Sequence, residues 1–252
     1  MTDTSPPARL RLISHAGATG AGDPPGTLSA YRRALAHGFR WIQVDLVPVA
    51  GGELLSMHAV TGRRRRLERL DREELRRRAP DHPTLTELLE ALPDALVNLE
   101  IKSRRAEPAL VAVLDRLVAA GRGDRVLVSA PFHRGLLRRI RRRYAGRIAT
   151  CASLLEGALI GVPLVPCGTP APRVVQLWWP VALVPGLVGH LDRRGRKVEV
   201  WTVNGGWRLR HLVRRGVEGI LTDLDHPPVG ADDPGVTPGA SARGCGSGPR
   251  RG

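Results

Sequence analysis

The sequence predicts a single-domain α/β protein of the (β/α)8, or TIM, barrel class. Three observations predict it: about eight short apolar runs alternate with amphipathic stretches, several helices stop at glycine, and the alternating part is the length of one such barrel. This alternation means parallel strands joined by crossover helices. Eight units in roughly 220 residues favour a closed barrel over an open doubly wound sheet, although periodicity alone leaves closure undecided.

The elements follow in order. Residues 10–16 read as the first strand and 27–37 as a helix, with Thr27 as N-cap and Gly38 at C′. A second strand, 41–47, leads through Gly51-Gly52 into a short return strand, 53–57, forming a small hairpin. Thr84, preceded by Pro83, opens a helix over 85–92, and 96–101 is strand-like. Residues 108–120 have a clear helical period that stops at Gly121. Strands at 125–129, 147–152, 174–178, 197–203 and 219–222 then alternate with helices at 136–144, 154–160, 186–194 and 207–215. The Pro- and Gly-rich stretch 162–172 gives the weakest reading. The barrel is expected to span 8–228, and 229–252, rich in Pro, Gly, Ser and Arg, to be a disordered tail.

Aromatic residues are only 4% of the 252, so the core must be built from Leu, Val, Ile and Ala. The net charge of +15 is carried almost wholly by Arg, since Lys102 and Lys197 are the only lysines. Arg keeps its charge at any ordinary pH. Such a field attracts nucleic acid, anionic lipid or phosphorylated substrates without specifying a fold. The four arginines at 63–66 read as a solvated face. No helix-turn-helix, zinc-finger or aromatic RNA-binding signature accompanies them, so no specific nucleic-acid partner is expected. Three cysteines without a C-x-x-C pair argue against a disulfide framework or a cysteine zinc site. With no apolar leader and no run of membrane-spanning length, the chain is expected to be soluble and cytoplasmic.

In a parallel barrel, reactive groups gather at the carboxyl ends of the strands. His15 ends the first. Gln43 and Asp45, two apart, share a face of the second, and His58 follows the return strand. Glu100 and Lys102 share a face at the end of the third, while Asn204 and Asp223 end the last two. Carboxylate and carbonyl oxygens suit Mg²⁺ or Ca²⁺. Histidines exchange protons near neutral pH, as an acid–base pair or with one as nucleophile. The set suits metal-assisted attack on a phosphate diester. Asn204 and Asp223 read as loop braces, Trp178 and Trp179 as packing residues, and Trp201 as facing the pocket.

Eight segments carry a more specific signal: His15-Ala16-Gly17, Pro24-Pro25-Gly26-Thr27, Gln43-Val44-Asp45, His58-Ala59, Pro83 to Leu89, Asn98-Leu99-Glu100-Ile101-Lys102, Val200 to Asn204, and Gly216 to Asp223. In joint order and spacing they resemble the glycerophosphodiester phosphodiesterase family over residues 10–228. The resemblance implies hydrolysis of glycerophosphodiesters or related small phosphodiesters to an alcohol and a phosphomonoester, in phospholipid and glycerol metabolism. It implies His15 and His58 as the catalytic pair, Gln43, Asp45 and Glu100 as ligands of a divalent metal (Mg²⁺ or Ca²⁺), and Lys102 beside the phosphate; Trp201, read above as facing the pocket, is the further candidate substrate contact. The chain departs from the family pattern in four places. Ala16 stands for Arg, Pro25-Gly26 for Glu-Asn, Gln43 for Glu and Ala59 for Asp. An uncharged Gln43 implies weaker metal binding, and Ala16 removes a bidentate phosphate clamp. The alternative reading is a repurposed barrel that binds a phosphorylated ligand; a basic nucleic-acid-binding protein ranks below it.

Overall fold

The structure is a computed structural model, and it describes residues 10–20, 22–58, 69–160 and 171–227. The expected tail at 229–252, the arginines at 63–66, residues 59–62 and most of the stretch 162–172 lie outside the described residues.

The described residues form nine strands: β1 (Arg11–His15), β2 (Trp41–Pro48), β3 (Leu54–Ser56), β4 (Leu96–Ile101), β5 (Val126–Ser129), β6 (Ala149–Thr150), β7 (Val174–Trp178), β8 (Lys197–Trp201) and β9 (Gly219–Thr222). All but β3 run parallel, in the order β6-β5-β4-β2-β1-β9-β8-β7. The two ends of that order meet through a parallel bridge between Cys151 and Val174, where the Ala152 N–H also bonds the Val174 carbonyl at 2.7 Å. The sheet is therefore an eight-stranded barrel, closed at a thin seam. β3 returns antiparallel along β2, the expected hairpin.

The helices are α1 (Leu28–Ala36), α2 (Arg72–Arg78), α3 (Leu85–Ala91), α4 (Glu107–Ala119), α5 (Arg134–Tyr144), α6 (Leu154–Ile160), α7 (Leu187–Arg193) and α8 (Gly206–Arg214). Local chemistry sets their ends. Thr27 caps α1 by accepting from the Ala30 N–H, and Thr84 with Glu87 forms a capping box on α3. Helix α2 was not expected from the sequence. Asp71 caps it and three arginines close it, but Leu75 is its buried anchor, so no apolar period betrays it.

Two concentric cores follow from the period of two along each strand. Ile13, Trp41, Leu96, Leu127, Val174 and Leu221 fill the barrel interior. The alternate residues, such as Ile42, Val44, Leu99 and Val128, pack outward on the helices. Continuing each inward row toward the carboxyl end gives His15 after Ile13, Gln43 and Asp45 after Trp41, Asn98 and Glu100 after Leu96, and Asp223 after Leu221. The polar positions are therefore the last inward ones of strands otherwise buried on both faces.

Two buried ionic contacts brace this frame. Inside the barrel, Arg11 Nη2 lies 2.9 Å from Glu199 Oε1, and Gln176 Nε2 donates to Glu199 Oε2 at 2.8 Å. Gly219 leaves room for this pair, since a Cβ there would lie 2.5 Å from Glu199 Cγ. Outside it, Arg141 of α5 donates through Nη1 and Nη2 to both Glu156 oxygens, at 2.8 and 2.7 Å, and through Nε to Thr150 Oγ1 at 2.7 Å. Glu156 also accepts from the Ser153 N–H at 3.0 Å, while Ser153 Oγ accepts from the Glu156 N–H at 3.2 Å, a capping box on α6. Among the described residues, no helix is long and apolar enough to cross a membrane.

Candidate active site

The two histidines meet at the barrel mouth along different routes. His15 ends β1, and its Nδ1 lies 2.7 Å from Asp223 Oδ1, just beyond β9. Asp223 is itself fixed: Asn204 Nδ2 donates to Asp223 Oδ2 at 2.9 Å, and Asn204 Oδ1 accepts from the Asp223 N–H at 2.9 Å. His58 arrives from β3. Ser56 Oγ donates to the Gly26 carbonyl at 3.0 Å, so the Tyr31 hydroxyl donates to Ser56 Oγ, also at 3.0 Å. The His15 and His58 rings stand edge to face with centroids 5.0 Å apart.

The loop at residues 24–27 joins these two routes. The Gly26 N–H donates to the Ala16 carbonyl at 2.8 Å, and a Cβ on Gly26 would lie 3.2 Å from the His58 backbone nitrogen. Its φ of +87° is left-handed, a conformation that glycine adopts without steric cost. Ala16 is buried with φ 61°, so this chain places a methyl group, not a guanidinium, beside His15.

Below the histidines lies a buried cluster. Gln43 and Asp45 are 2% and 4% exposed. Gln43 Nε2 donates to Glu100 Oε2. Lys102 Nζ donates to Glu100 Oε1 at 2.5 Å and lies 3.4 Å from Asp45 Oδ1. Asp45 Oδ2 lies 3.7 Å from His58 Nε2. Parallel register, with Gln43 opposite Asn98 and Asp45 opposite Glu100, places these groups side by side.

The fields within the site are strong. Burial alone would lower the His15 pKa, but the hydrogen bond from His15 to Asp223 and the charges of Asp223, Asp45 and Glu100 more than reverse this and raise it. Asp223 is lowered, chiefly by its bond to His15. Burial and the Asp45 charge raise Glu100, against the opposing pull of Lys102. Lys102 loses by burial yet is raised by Asp45 and Glu100, so it remains a cation.

The residues fit an oxygen-ligated cation. Gln43 Oε1 is buried without a hydrogen-bond partner and Asp45 Oδ1 has only its long contact with Lys102, whereas buried polar oxygens ordinarily have a well-formed bond. With Glu100 they make three oxygen donors of the type that hard cations take. Among the described residues, no three His, Cys, Asp or Glu side chains form a group that could hold a metal. The third oxygen here belongs to the Gln43 carboxamide.

The structure thus brings His15, His58, Gln43, Asp45, Glu100 and Lys102 to one place. Trp201 ends β8 on another part of the mouth, opposite Trp178 in register, and is 42% exposed. The packing role expected for Trp178 is corrected: it ends β7 beyond the filled interior and is exposed, whereas Trp179 packs against the core. Asp223 is more than the loop brace expected of it, because its carboxylate holds the His15 ring. The signal was its place as the last inward residue of the strand beside β1.

A pH prediction follows. Asp223→Asn removes the hydrogen bond and one of the charges that raise His15, leaving only the charges of Asp45 and Glu100 to oppose burial, so the His15 pKa should fall. If protonated His15 is needed for activity, the alkaline limb of the kcat/KM profile should move to lower pH, with a loss of about ten- to a hundredfold near neutrality. By linkage, the His15–Asp223 contact stabilises the fold fully below the unfolded histidine pKa and is lost as pH rises through the raised folded value. The stability difference between wild type and Asp223→Asn should therefore narrow at alkaline pH, as urea unfolding would register.

No protein-family model matches the chain. It is 30% identical over 234 residues to a Mycobacterium tuberculosis protein named "Probable glycerophosphodiester phosphodiesterase 2", covering 84% of this chain and 86% of that one. The fold is similar to the crystal structure of a glycerophosphodiester phosphodiesterase from Parabacteroides distasonis, with TM-score 0.69 and 18% identity over 87% of this chain and 94% of that one. It is also similar to one from Thermotoga maritima, with TM-score 0.67 and 19% identity over 86% and 96% of the two chains. An Oleispira antarctica phosphodiesterase solved with its product sn-glycerol-3-phosphate gives TM-score 0.63 and 17% identity over 85% and 93%.

Proposed function

The chain belongs to the glycerophosphodiester phosphodiesterase family and is a phosphoric diester hydrolase; from that premise we propose that the mouth hydrolyses glycerophosphodiesters to an alcohol and glycerol 3-phosphate with a divalent cation, using His15 and His58. The observation that carries the reading is the edge-to-face pair of histidines above a cluster of buried Gln43 and Asp45 with half-buried Glu100 and Lys102. The product bound in the Oleispira structure supports glycerol 3-phosphate as the product here.

Gln43 Oε1, Asp45 and Glu100 would hold Mg²⁺ or Ca²⁺. When bound, such an ion neutralises charge that builds on the phosphoryl oxygens. The chain's own residues supply the rest. Asp223 favours the doubly protonated form of His15, which suits His15 to donate a proton to the departing alcohol oxygen as its bond to phosphorus breaks. His58 is more exposed and suits acceptance of the proton of the attacking water as the new bond from oxygen to phosphorus forms. Lys102 is a fixed cation whose contact with Asp45 is long, and it would orient a phosphoryl oxygen.

Gln43→Glu tests this assignment, since it would complete a trio of carboxylates. In calorimetric titration it should tighten Mg²⁺ or Ca²⁺ by about ten- to a thousandfold over wild type, because affinity rises with ligand charge. The same variant without cation should be less stable, with three acidic groups crowded together. Unchanged affinity would remove Gln43 from the ligand set. Parallel assays with glycerophosphocholine test the reaction: hydrolysis that EDTA abolishes and Mg²⁺ or Ca²⁺ restores is expected. Glycerol 3-phosphate binding without turnover under any cation would instead assign a phosphate-binding barrel.

A further inference from the structure

The barrel mouth is divided by strand. The polar groups described above stand on β4, β2, β1 and β9 and on the hairpin beside β2, whereas the exposed large apolar side chains occupy the remaining arc, β5 to β8. Phe132 follows β5, Leu154 and Leu155 open α6 after β6, Trp178 ends β7, Trp201 ends β8 and Trp207 opens α8. Phe132 is 77% exposed and Trp207 61%. The other exposed large apolar side chains among the described residues, Val181 and Val184, follow Trp178 in the segment between β7 and α7. Scattered exposed apolar residues need no explanation, but a contiguous arc of them marks an interaction surface.

We propose that this arc docks the barrel mouth onto an anionic lipid bilayer. Protruding Trp and Phe at the tips of loops are the side chains that settle at a membrane interface, with ring and dipole shared between acyl and headgroup regions. The charge around the arc is complementary to anionic headgroups. Arg134 stands two residues beyond Phe132, Arg208 stacks over Trp179 and Trp207 at 4.6 and 5.4 Å, and exposed Arg210 follows Trp207 by three residues. The chain as a whole carries +15. Attraction of that sign adds to apolar insertion at an anionic surface. Seated in this way, the mouth would face the headgroup layer, where phosphodiesters are dense.

The experiment needs no turnover, so its outcome is independent of the hydrolysis reading. The full chain is sedimented with phosphatidylcholine vesicles, with and without phosphatidylglycerol, and tryptophan emission is followed with brominated acyl chains. Binding at least about tenfold stronger to the phosphatidylglycerol vesicles is expected, together with quenching by bromine. The triple variant Phe132→Ser, Leu155→Ser and Trp207→Ser should weaken it about tenfold or more while leaving the melting temperature unchanged, because these side chains are exposed. Three results would overturn the proposal: no vesicle binding; binding that the triple variant leaves intact, which assigns it to charge alone; or self-association of the wild type that the variant abolishes, which assigns the arc to a second copy. Chain-length preference for monoacyl phosphodiesters without vesicle binding would also overturn it, in favour of an acyl-binding edge of the active site.

Discussion

His15→Ala and His58→Ala are each expected to lower kcat/KM for a glycerophosphodiester by about a thousandfold or more, the range in which a positioned proton donor or acceptor acts. The loss should fall mainly on kcat, because neither ring is a phosphate anchor in the arrangement proposed. The double variant should lose little beyond either single one, since the two rings stand 5.0 Å apart and serve one proton-transfer sequence. His15→Ala also releases Asp223 from its 2.7 Å contact, so its thermal unfolding should be measured beside its activity. Retention of activity within about tenfold in either variant would reject that histidine's role. The partner arrangement sharpens the comparison: Asp223→Asn should shift the pH profile, whereas His15→Ala should keep its loss of about a thousandfold or more at every pH.

The largest stability effect is expected at Arg141. Its guanidinium is buried and ties α5 to β6 and to the start of α6 through Thr150, the Cys151 carbonyl and both oxygens of Glu156. Removing one partner of such a pair leaves a charge uncompensated, and Arg141→Ala should cost about 3–5 kcal/mol. For a chain of this size that is a fall in Tm on the order of 10 °C. Replacing both partners, Arg141→Leu with Glu156→Leu, should recover much of the loss, because isosteric apolar replacement of a buried pair is often neutral. Acid weakens the same link. Burial pushes the Glu156 carboxyl up, but bonds from Arg141 and Ser153 outweigh this and hold it low. Its stabilising contribution is therefore present at neutral pH and is lost as pH falls through the lowered folded value.

Most of the barrel was legible because its signals are local. Short apolar runs mark strands buried on both faces, Thr27 and Thr84 mark helix starts, and left-handed Gly38, Gly121, Gly195 and Gly216 mark helix ends. What escaped was non-local or unpatterned. Helix α2 is nearly all charge and is held by its cap and Leu75. Closure rests on the meeting of β6 with β7, which no periodicity encodes. In the site, Gln43, Asp45, Glu100 and Lys102 were readable as inward positions two apart. The His15–Asp223 pair was not, because it spans 208 residues and depends on β1 lying beside β9. The role of Gly26 was hidden for the same reason: only the folded loop brings it against the backbone of His58.

The thin seam has a mechanical consequence. Between β2 and β4 the ladder runs unbroken from Trp41↔Leu96 to Leu46↔Ile101, directly beneath the carboxylates and the lysine. Between β6 and β7, near the opposite wall, the described residues supply one bridge at Cys151↔Val174 and two backbone bonds, from the Ala152 N–H to the Val174 carbonyl and from the Arg173 N–H to the Thr150 carbonyl. Elastic give is thus concentrated on the wall that bears the exposed aromatic side chains, and the stiffest wall carries the groups whose spacing chemistry demands. The edge at β6–β7 should therefore yield first, and its amides, such as that of Ala152, should exchange with solvent faster than those of the β2–β4 ladder.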